Sequence, residues 1–403
     1  MNILYVTFAY LPTLGGVQRS VHNLATEFTR RGHRILIATH GERPFAYQLQ
    51  QPAPVISMRI PYPLHERQAK RIEAHLLDCV NLRLLSDHCI RNAIEVAHCH
   101  LINVDTRYAI ALKRLLGIKV VITLRGGEFH HWIAGRPVRR QYVQRMLESA
   151  DAVTALSQSQ MDDARELAPS LAHDSPVIPN PADREAIVRL AAQGTGKKGV
   201  RAPYILFAGR LEAQKRVDVL IDAYHGIIAK DKNYKYDLIM AGSGSLSPAL
   251  QEQARNGPGA GRIRFLGSCR YEDSLAIVRD AALLVLPSQE SEGCPNVVLE
   301  AMALATPVIV ADHGPLAELV AHGVNGEVFP SGDAEALATR LRALAGDAKT
   351  RVRYAEAGLR HLNRRHRFDQ VANAYEELYG RILSPRTIGT GRGLREQKRR
   401  RGL

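Results

Sequence analysis

The sequence predicts an α/β protein built from two doubly wound domains that face each other across a deep cleft. Three observations lead there. Short apolar runs of strand length alternate with helical runs along the chain, the pattern of parallel sheets with helices on both faces. The alternation comes in two sets, and residues 191–203 (AAQGTGKKGVRAP) between them are polar and glycine-rich, as in a linker or loop. The length of 403 residues suits two domains, each with its own core.

In the first set the strands fall at residues 3–8, 35–39, 55–59, 95–100, 119–124, 152–156 and 177–179. Helices lie between them, for instance 17–31, closed by Gly32, and a long stretch from Glu66 to about Asn92. The second set has strands at 204–208, 237–241, 263–266, 283–286, 308–310 and 327–329. A short helix is expected at 183–190, and the chain past Phe329 reads as helical to about Leu383. The domains are therefore residues 1–183 and 184–366, followed by a basic tail at 384–403. Ligands of open α/β sheets bind beyond the carboxyl ends of the strands, so the cleft between two such edges is where a site belongs.

Composition narrows the class. A hydrophobic fraction of 45% with 23% charged residues is that of a soluble globular protein. No apolar run approaches the ~18 residues of a membrane span. The opening MNILYVTFAY reads as a strand and lacks the basic start of a signal peptide. Five scattered cysteines (Cys79, Cys89, Cys99, Cys269, Cys294) fit free thiols in a reducing cytoplasm. The net charge of +14 implies an acidic partner. Two segments concentrate it: a helix at 136–149 with Arg136, Arg139, Arg140 and Arg145, and residues 385–403, with seven basic residues and one acidic. Each reads either as contact with an anionic membrane or as a solvated basic face. No aromatic-interleaved basic patch or recognition module suggests nucleic acid.

The most informative stretch is SEGCPNVVLEAMA. Glu292 sits on a loop after the strand 283–286, and Glu300 lies in the first turns of a helix over 296–303, with Asn296 as its N-cap. A helix start offers free N–H groups and the positive end of a dipole, which suit phosphate. A carboxylate can accept two hydrogen bonds, which suits a vicinal diol. The combination reads as a site for a sugar attached to a phosphate.

Around it, Arg210 follows the strand 204–208 and Lys215 opens the next helix. They fit either a diphosphate or the neighbouring carboxylates Glu212 and Asp218. Gly242 and Gly244 in MAGSGS lack the third glycine of a dinucleotide fingerprint but suit a turn that approaches a nucleotide. Gly15 and Gly16, at a strand-to-helix turn, permit positive φ and close approach to a ligand, or simply make the turn. His98 and His100 share one strand face. Without further ligands at finger-like spacing they do not suggest a metal, and His100 is the cleft candidate. Arg125, Glu128 and His130 in TLRGGEFHH stand at another strand tip, where they suit a sugar hydroxyl or an acceptor.

Taken in order, the GG loop, GRLEAQKRVDVLI, AGSGS, PSQESEGCPNVVLEAMALATPVI and GVNGEVF resemble glycosyltransferase family 4. The resemblance spans residues 1 to about 383 and is most specific in the second half. It implies the GT-B fold of two Rossmann-like domains, and retaining transfer of a sugar from a nucleoside diphosphate donor to an acceptor hydroxyl. By this resemblance Arg210 and Lys215 bind the donor diphosphate, Glu300 the ribose hydroxyls and Glu292 the transferred sugar. Backbone N–H groups near Asn296, Val297 and Val298 touch phosphate, and Glu318 matches a motif glutamate. Residues 367–383 match a final helix that crosses back onto the first domain. Two positions depart from the pattern. Arg125 stands where many relatives have histidine, which points to a changed, for instance anionic, sugar partner. Ala305 stands where glycine is usual, read here as a mild packing change.

No metal or other cofactor is expected. The acceptor implied is a carbohydrate or a lipid-linked one in cell-envelope polysaccharide, lipopolysaccharide or glycolipid synthesis, at the inner face of the plasma membrane. A sugar-nucleotide epimerase of the same fold and a non-catalytic nucleotide-sugar scaffold are the alternatives.

Overall fold

The computed structural model describes residues 1–11, 15–41, 47–48, 52–59, 68–126, 133–171, 175–196, 200, 203–289 and 292–384. Glu128, His130 and the tail 385–403 lie outside these residues. The first half contains β1 (Asn2–Thr7), α1 (Gly16–Arg30), β2 (Arg34–His40), β3 (Tyr47–Gln48), β4 (Val55–Met58), α2 (Gln68–Arg91) and β5 (Val96–His100). It continues with α3 (Thr106–Leu116), β6 (Lys119–Thr123), α4 (Pro137–Ser149), β7 (Ala152–Thr154) and α5 (Gln158–Leu167). The seven strands form one sheet, ordered β3-β4-β2-β1-β5-β6-β7. All its pairings are parallel except that of β3, a two-residue antiparallel edge absent from the sequence reading.

The second half runs α6 (Arg184–Gln193), β8 (Tyr204–Ala208), α7 (Val217–Lys230), β9 (Asp237–Ala241), α8 (Ser247–Arg255), β10 (Ile263–Gly267), α9 (Tyr271–Asp280) and β11 (Leu283–Leu286). Then follow α10 (Asn296–Ala303), β12 (Val308–Ala311), α11 (Gly314–Leu319), β13 (Glu327–Phe329), α12 (Ala334–Gly346), α13 (Ala348–Arg365) and α14 (Phe368–Leu383). Its strands form a parallel sheet, ordered β10-β9-β8-β11-β12-β13. Among the described residues no helix is long and apolar enough to cross a membrane.

The strands are apolar on both sides because both faces of each sheet are covered. One face of the first sheet packs on α2 to α5, and the other on α1 and α14. α14 buries Val371, Ala372, Tyr375, Leu378 and Tyr379, an i, i+1, i+4, i+7, i+8 stripe. The stripe carries polar atoms into the first core. The Tyr379 hydroxyl is 2.6 Å from His98 Nδ1, and His98 Nε2 is 2.6 Å from Thr123 Oγ1. The last helix is thereby held by hydrogen bonds as well as by packing.

The predicted strand at 177–179 is absent. Val177 makes only a single bridge, to Ala155. Pro176, Pro179 and Pro181 remove three donors from this segment, so no ladder can propagate. It serves instead as the crossing between the halves. A second crossing returns at His366. The two are bonded to each other: Ala182 N–H donates to His366 O at 2.7 Å, and His366 Nδ1–H donates to Asn180 O at 2.8 Å. Burial holds His366 neutral, its pKa lowered to about 4.

Ala305 is more than a packing change. It follows α10 with φ +58, and Thr306 N–H donates to Ala301 O at 2.8 Å, closing a left-handed helix end of the type glycine favours. A Cβ there costs ~1–2 kcal/mol, partly offset by the lower freedom of alanine in the unfolded chain. Ala305→Gly is expected to stabilise the protein by about 1 kcal/mol in denaturant unfolding.

Candidate active site

The loops after β8, β9, β11 and β6 converge at the facing carboxyl edges. After β8 the chain turns outward and exposes Arg210 at its tip. The turn is held against the loop after β9: Gly209 N–H donates to Ala241 O at 2.9 Å, and Leu211 N–H to Ser243 O at 3.0 Å. Here the glycines of MAGSGS find their physical reason. Gly242 has φ +145, and a Cβ on it would lie 1.8 Å from Gly209 O; one on Gly244 would lie 2.3 Å from Leu211 O. Both make room for the Arg210 loop.

Lys215 does not open a long helix. It ends a single 3-10 turn, Ala213–Lys215, and α7 begins two residues later. Its ammonium pairs with Glu292, and both groups are largely buried. The carboxylates suggested as its partners are engaged elsewhere. Asp218 pairs with Arg216, and Glu212 accepts from Ser245 N–H at 3.0 Å.

The N-cap of α10 lies one residue earlier than predicted. Pro295 holds the N-cap position and Asn296 is the first helical residue. Freed from capping, the Asn296 side chain reaches the other domain: its Nδ2 donates to Gly16 O at 3.1 Å and lies 3.4 Å from Ser20 Oγ. Val298 N–H is taken by Pro295 O at 3.1 Å. The amides without a helical acceptor are therefore those of Asn296 and Val297. Gly15 is extended, with φ −177, and neither glycine of the pair has positive φ. The pair brings the start of α1 against the start of α10 without needing glycine's special conformations.

One turn into α10, Glu300 is buried and accepts from the Tyr271 hydroxyl at 3.0 Å. Arg19 approaches from the first domain, 3.6 Å from the same carboxylate, with its guanidinium carbon 3.1 Å from the centre of the Tyr271 ring. Burial raises the Glu300 pKa above its ordinary value, and Arg19 and Tyr271 only partly oppose it. A cavity of about 520 Å³ adjoins this cluster, lined by Gly15, Arg19, Tyr271, Asn296 and Glu300 and extending along α1 and α6. Arg210, Lys215 and Glu292 are not among its lining residues.

Other candidates move out of the cleft. His100 is 1% exposed and lies under Arg125, whose Nη2 donates to His100 Nδ1 at 2.8 Å. Arg125 Nη1 donates to Asn180 Oδ1 at 2.6 Å. The guanidinium is therefore engaged within the protein and is not presented to an anionic sugar. Glu318 accepts from Gln158 and Ser159 N–H, both at 2.7 Å, so it caps α5 from the opposite domain. Arg19, Tyr271 and Asn180 were not singled out from sequence. Arg19 carries a weak signal, one helical turn past the glycine pair; Tyr271 and Asn180 carry none without the fold.

Two parallel sheets with facing carboxyl edges, a returning C-terminal helix and this cluster define a GT-B glycosyltransferase architecture. The solved structure of sucrose-phosphate synthase from Thermosynechococcus elongatus is similar over 95% of this chain and 99% of its own (TM-score 0.76, 18% identity). Anabaena HepE, solved in complex with UDP-glucose, is similar over 94% of this chain and 100% of its own (TM-score 0.71, 19% identity). In sequence, glycogen synthase of Mycobacterium tuberculosis is 27% identical over 94% of both chains. The N-acetyl-alpha-D-glucosaminyl L-malate synthase of Bacillus anthracis is 23% identical over 92% of this chain and 95% of its own. Family models match residues 14–186 (Glycosyltransferase Family 4) and 193–361 (Glycosyl transferases group 1). The chain belongs to glycosyltransferase family 4.

Because burial dominates at Glu300, its charged form destabilises the unliganded fold. Glu300→Gln is expected to melt above the wild type at pH 8. The sign follows from linkage: a raised folded-state pKa means stability is lost as pH rises through it, so the advantage should vanish on acidification, when the wild-type carboxyl is protonated. Melting curves from pH 5 to 8 check this.

Proposed function

We propose that the protein transfers a sugar from a nucleoside diphosphate sugar to an acceptor hydroxyl with retention at the anomeric carbon. The observation that carries this reading is the start of α10, flanked by two buried carboxylates in different settings. Glu300 borders the cavity and offers two oxygens to a ribose diol. The amides of Asn296 and Val297, with the dipole of α10, suit the diphosphate. Glu292, oriented by Lys215, suits hydroxyls of the transferred sugar. The relatives named for sugar transfer, and the HepE structure holding UDP-glucose, support a nucleotide-sugar donor.

The bond from the anomeric carbon to the β-phosphate oxygen breaks as an oxocarbenium-like sugar forms. The acceptor oxygen then bonds to that carbon on the same face, and its proton passes to the departing phosphate oxygen. Neither glutamate is a covalent nucleophile in this scheme. Arg210, Lys215 and the start of α10 stabilise the diphosphate as its charge grows, with no metal required.

Arg210 is exposed, so its removal tests the site without disturbing the core. Arg210→Ala is expected to lower kcat about 100-fold with an unchanged melting temperature. Lys215→Ala should lower it at least as much, and should also destabilise the protein by ~3–5 kcal/mol by leaving Glu292 buried and unpaired. The primary assay incubates candidate nucleotide sugars with and without acceptors, after thermal-shift selection of donors. A transfer product supports the reading. Isomerised donor identifies an epimerase, and binding with no turnover identifies a scaffold. Wild-type turnover in both variants overturns the assignment of Arg210 and Lys215.

We also propose an envelope acceptor reached at the cytoplasmic membrane surface. Support comes from α4 and Arg136 just before it, which expose Val138 together with Arg136, Arg140 and Arg145. Replacing Arg140 and Arg145 by Gln is expected to weaken binding to anionic vesicles by about 2 kcal/mol. Equal sedimentation of variant and wild type overturns this part.

A further inference from the structure

Asn180 is 6% exposed, lies in the crossing between the domains, and bonds to four residues in three separate parts of the chain. Its Oδ1 accepts from Arg125 Nη1 at 2.6 Å. Its Nδ2 donates to Cys294 O at 2.8 Å and to Asn296 Oδ1 at 3.2 Å. Its backbone carbonyl accepts from His366 on the returning crossing at 2.8 Å. We propose that Asn180 is a positioning residue of the transfer reaction, which sets the donor-side loop 292–296 from the state of the first domain. The proposal rests on the reading of α10 as the diphosphate site.

The chemistry of the donors makes the arrangement directional. A guanidinium has five N–H groups and no acceptor, so Arg125 can only donate. Its bond to His100 Nδ1 requires that nitrogen to be unprotonated, in keeping with burial, which lowers the His100 pKa well below its usual value. Its other bond turns the carbonyl oxygen of the Asn180 amide toward it. The Asn180 NH₂ must then face Cys294 O and Asn296 Oδ1. That in turn leaves the Asn296 NH₂ facing Gly16 O. One orientation is thus passed from β5 and β6 through the crossing to the start of α10 and back to the glycine pair of the first domain. A chain of amides ordered in this way holds one register of the two domains, because reversing any member sets acceptor against acceptor.

Two groups of the proposed site hang on this chain. Asn296 carries one of the two free amides at the start of α10. Glu292, two residues before Cys294, faces Lys215. Tethering Cys294 O limits how far the loop between them can shift, and a displacement of about 1 Å is enough to cost about 100-fold in rate.

The test is the near-isosteric Asn180→Asp. Its carboxylate keeps a partner for Arg125 but presents an acceptor to both Cys294 O and Asn296 Oδ1. The proposal expects kcat to fall tenfold or more, while the dissociation constant of the nucleoside diphosphate changes less than threefold. It also expects Asn180→Asp combined with Asn296→Ala to be no slower than Asn180→Asp alone. A substrate-independent readout accompanies these: backbone hydrogen exchange at 292–298 should quicken at least tenfold in Asn180→Asp, with α3 and α8 unchanged. Unaltered exchange in that loop overturns the proposal, as does an additive loss in the double variant or a kcat loss matched by the unfolded fraction. Altered exchange in a protein that turns over no nucleotide sugar upholds the coupling and defeats only the transferase reading. Asn180→Ala serves as the control, with the same loop effect expected without an added charge.

Discussion

The interaction on which the rest depends is the pairing of the two crossings. Ala182 N–H to His366 O, and His366 Nδ1–H to Asn180 O, tie the outgoing and returning chain together at one point. Two sheets joined by a single strand of chain would be free to swivel. Two crossings bonded to each other add a second link at the same point. Among the described residues, Arg19 on Glu300, Asn296 on Gly16, and Glu318 at the start of α5 are cross-domain contacts that add to this tie.

These contacts are polar, which suits surfaces that part to admit a substrate. A large apolar interface would hold the halves shut. Here most of the apolar surface lies within each half, under α1 and α14 in one and around β8 to β13 in the other, with Leu156 of the first half joining the second core. The rest of the interface is carried by carboxylates, amides and guanidinium groups whose bonds water can replace. The buried Glu300 is the clearest case. Its charge is unfavourable where it sits, and its two present partners come from opposite domains. A residue placed against its own solvation preference is characteristic of a site that a ligand completes.

Much of the fold was legible. Parallel strands buried on both faces must be apolar throughout, so the runs at 3–8, 204–208 and 283–286 stand out from the helical stretches without any tertiary information. The prolines at 176, 179 and 181 were visible too, but the apolar residues between them imitated a strand. The site was legible in part because Glu292, Asn296 and Glu300 are close in sequence and share one strand-loop-helix unit. Arg19, Tyr271 and Asn180 come from three distant segments, and no local pattern marks residues whose importance lies in what they meet.

The sequence by itself determined the two α/β halves, the placement of glutamates around the start of α10, and the cations at the tip of β8. Each is a matter of periodicity and short-range spacing. Only the tertiary structure decided which partner each group takes. It gave Lys215 to Glu292 rather than to Glu212 or Asp218, turned Arg125 inward onto His100 and Asn180, and placed Ala305 in a left-handed turn. Hydrogen bonds and ion pairs form between atoms that are close in space. For these residues closeness is set by how two sheets face each other, which no local stretch of sequence encodes.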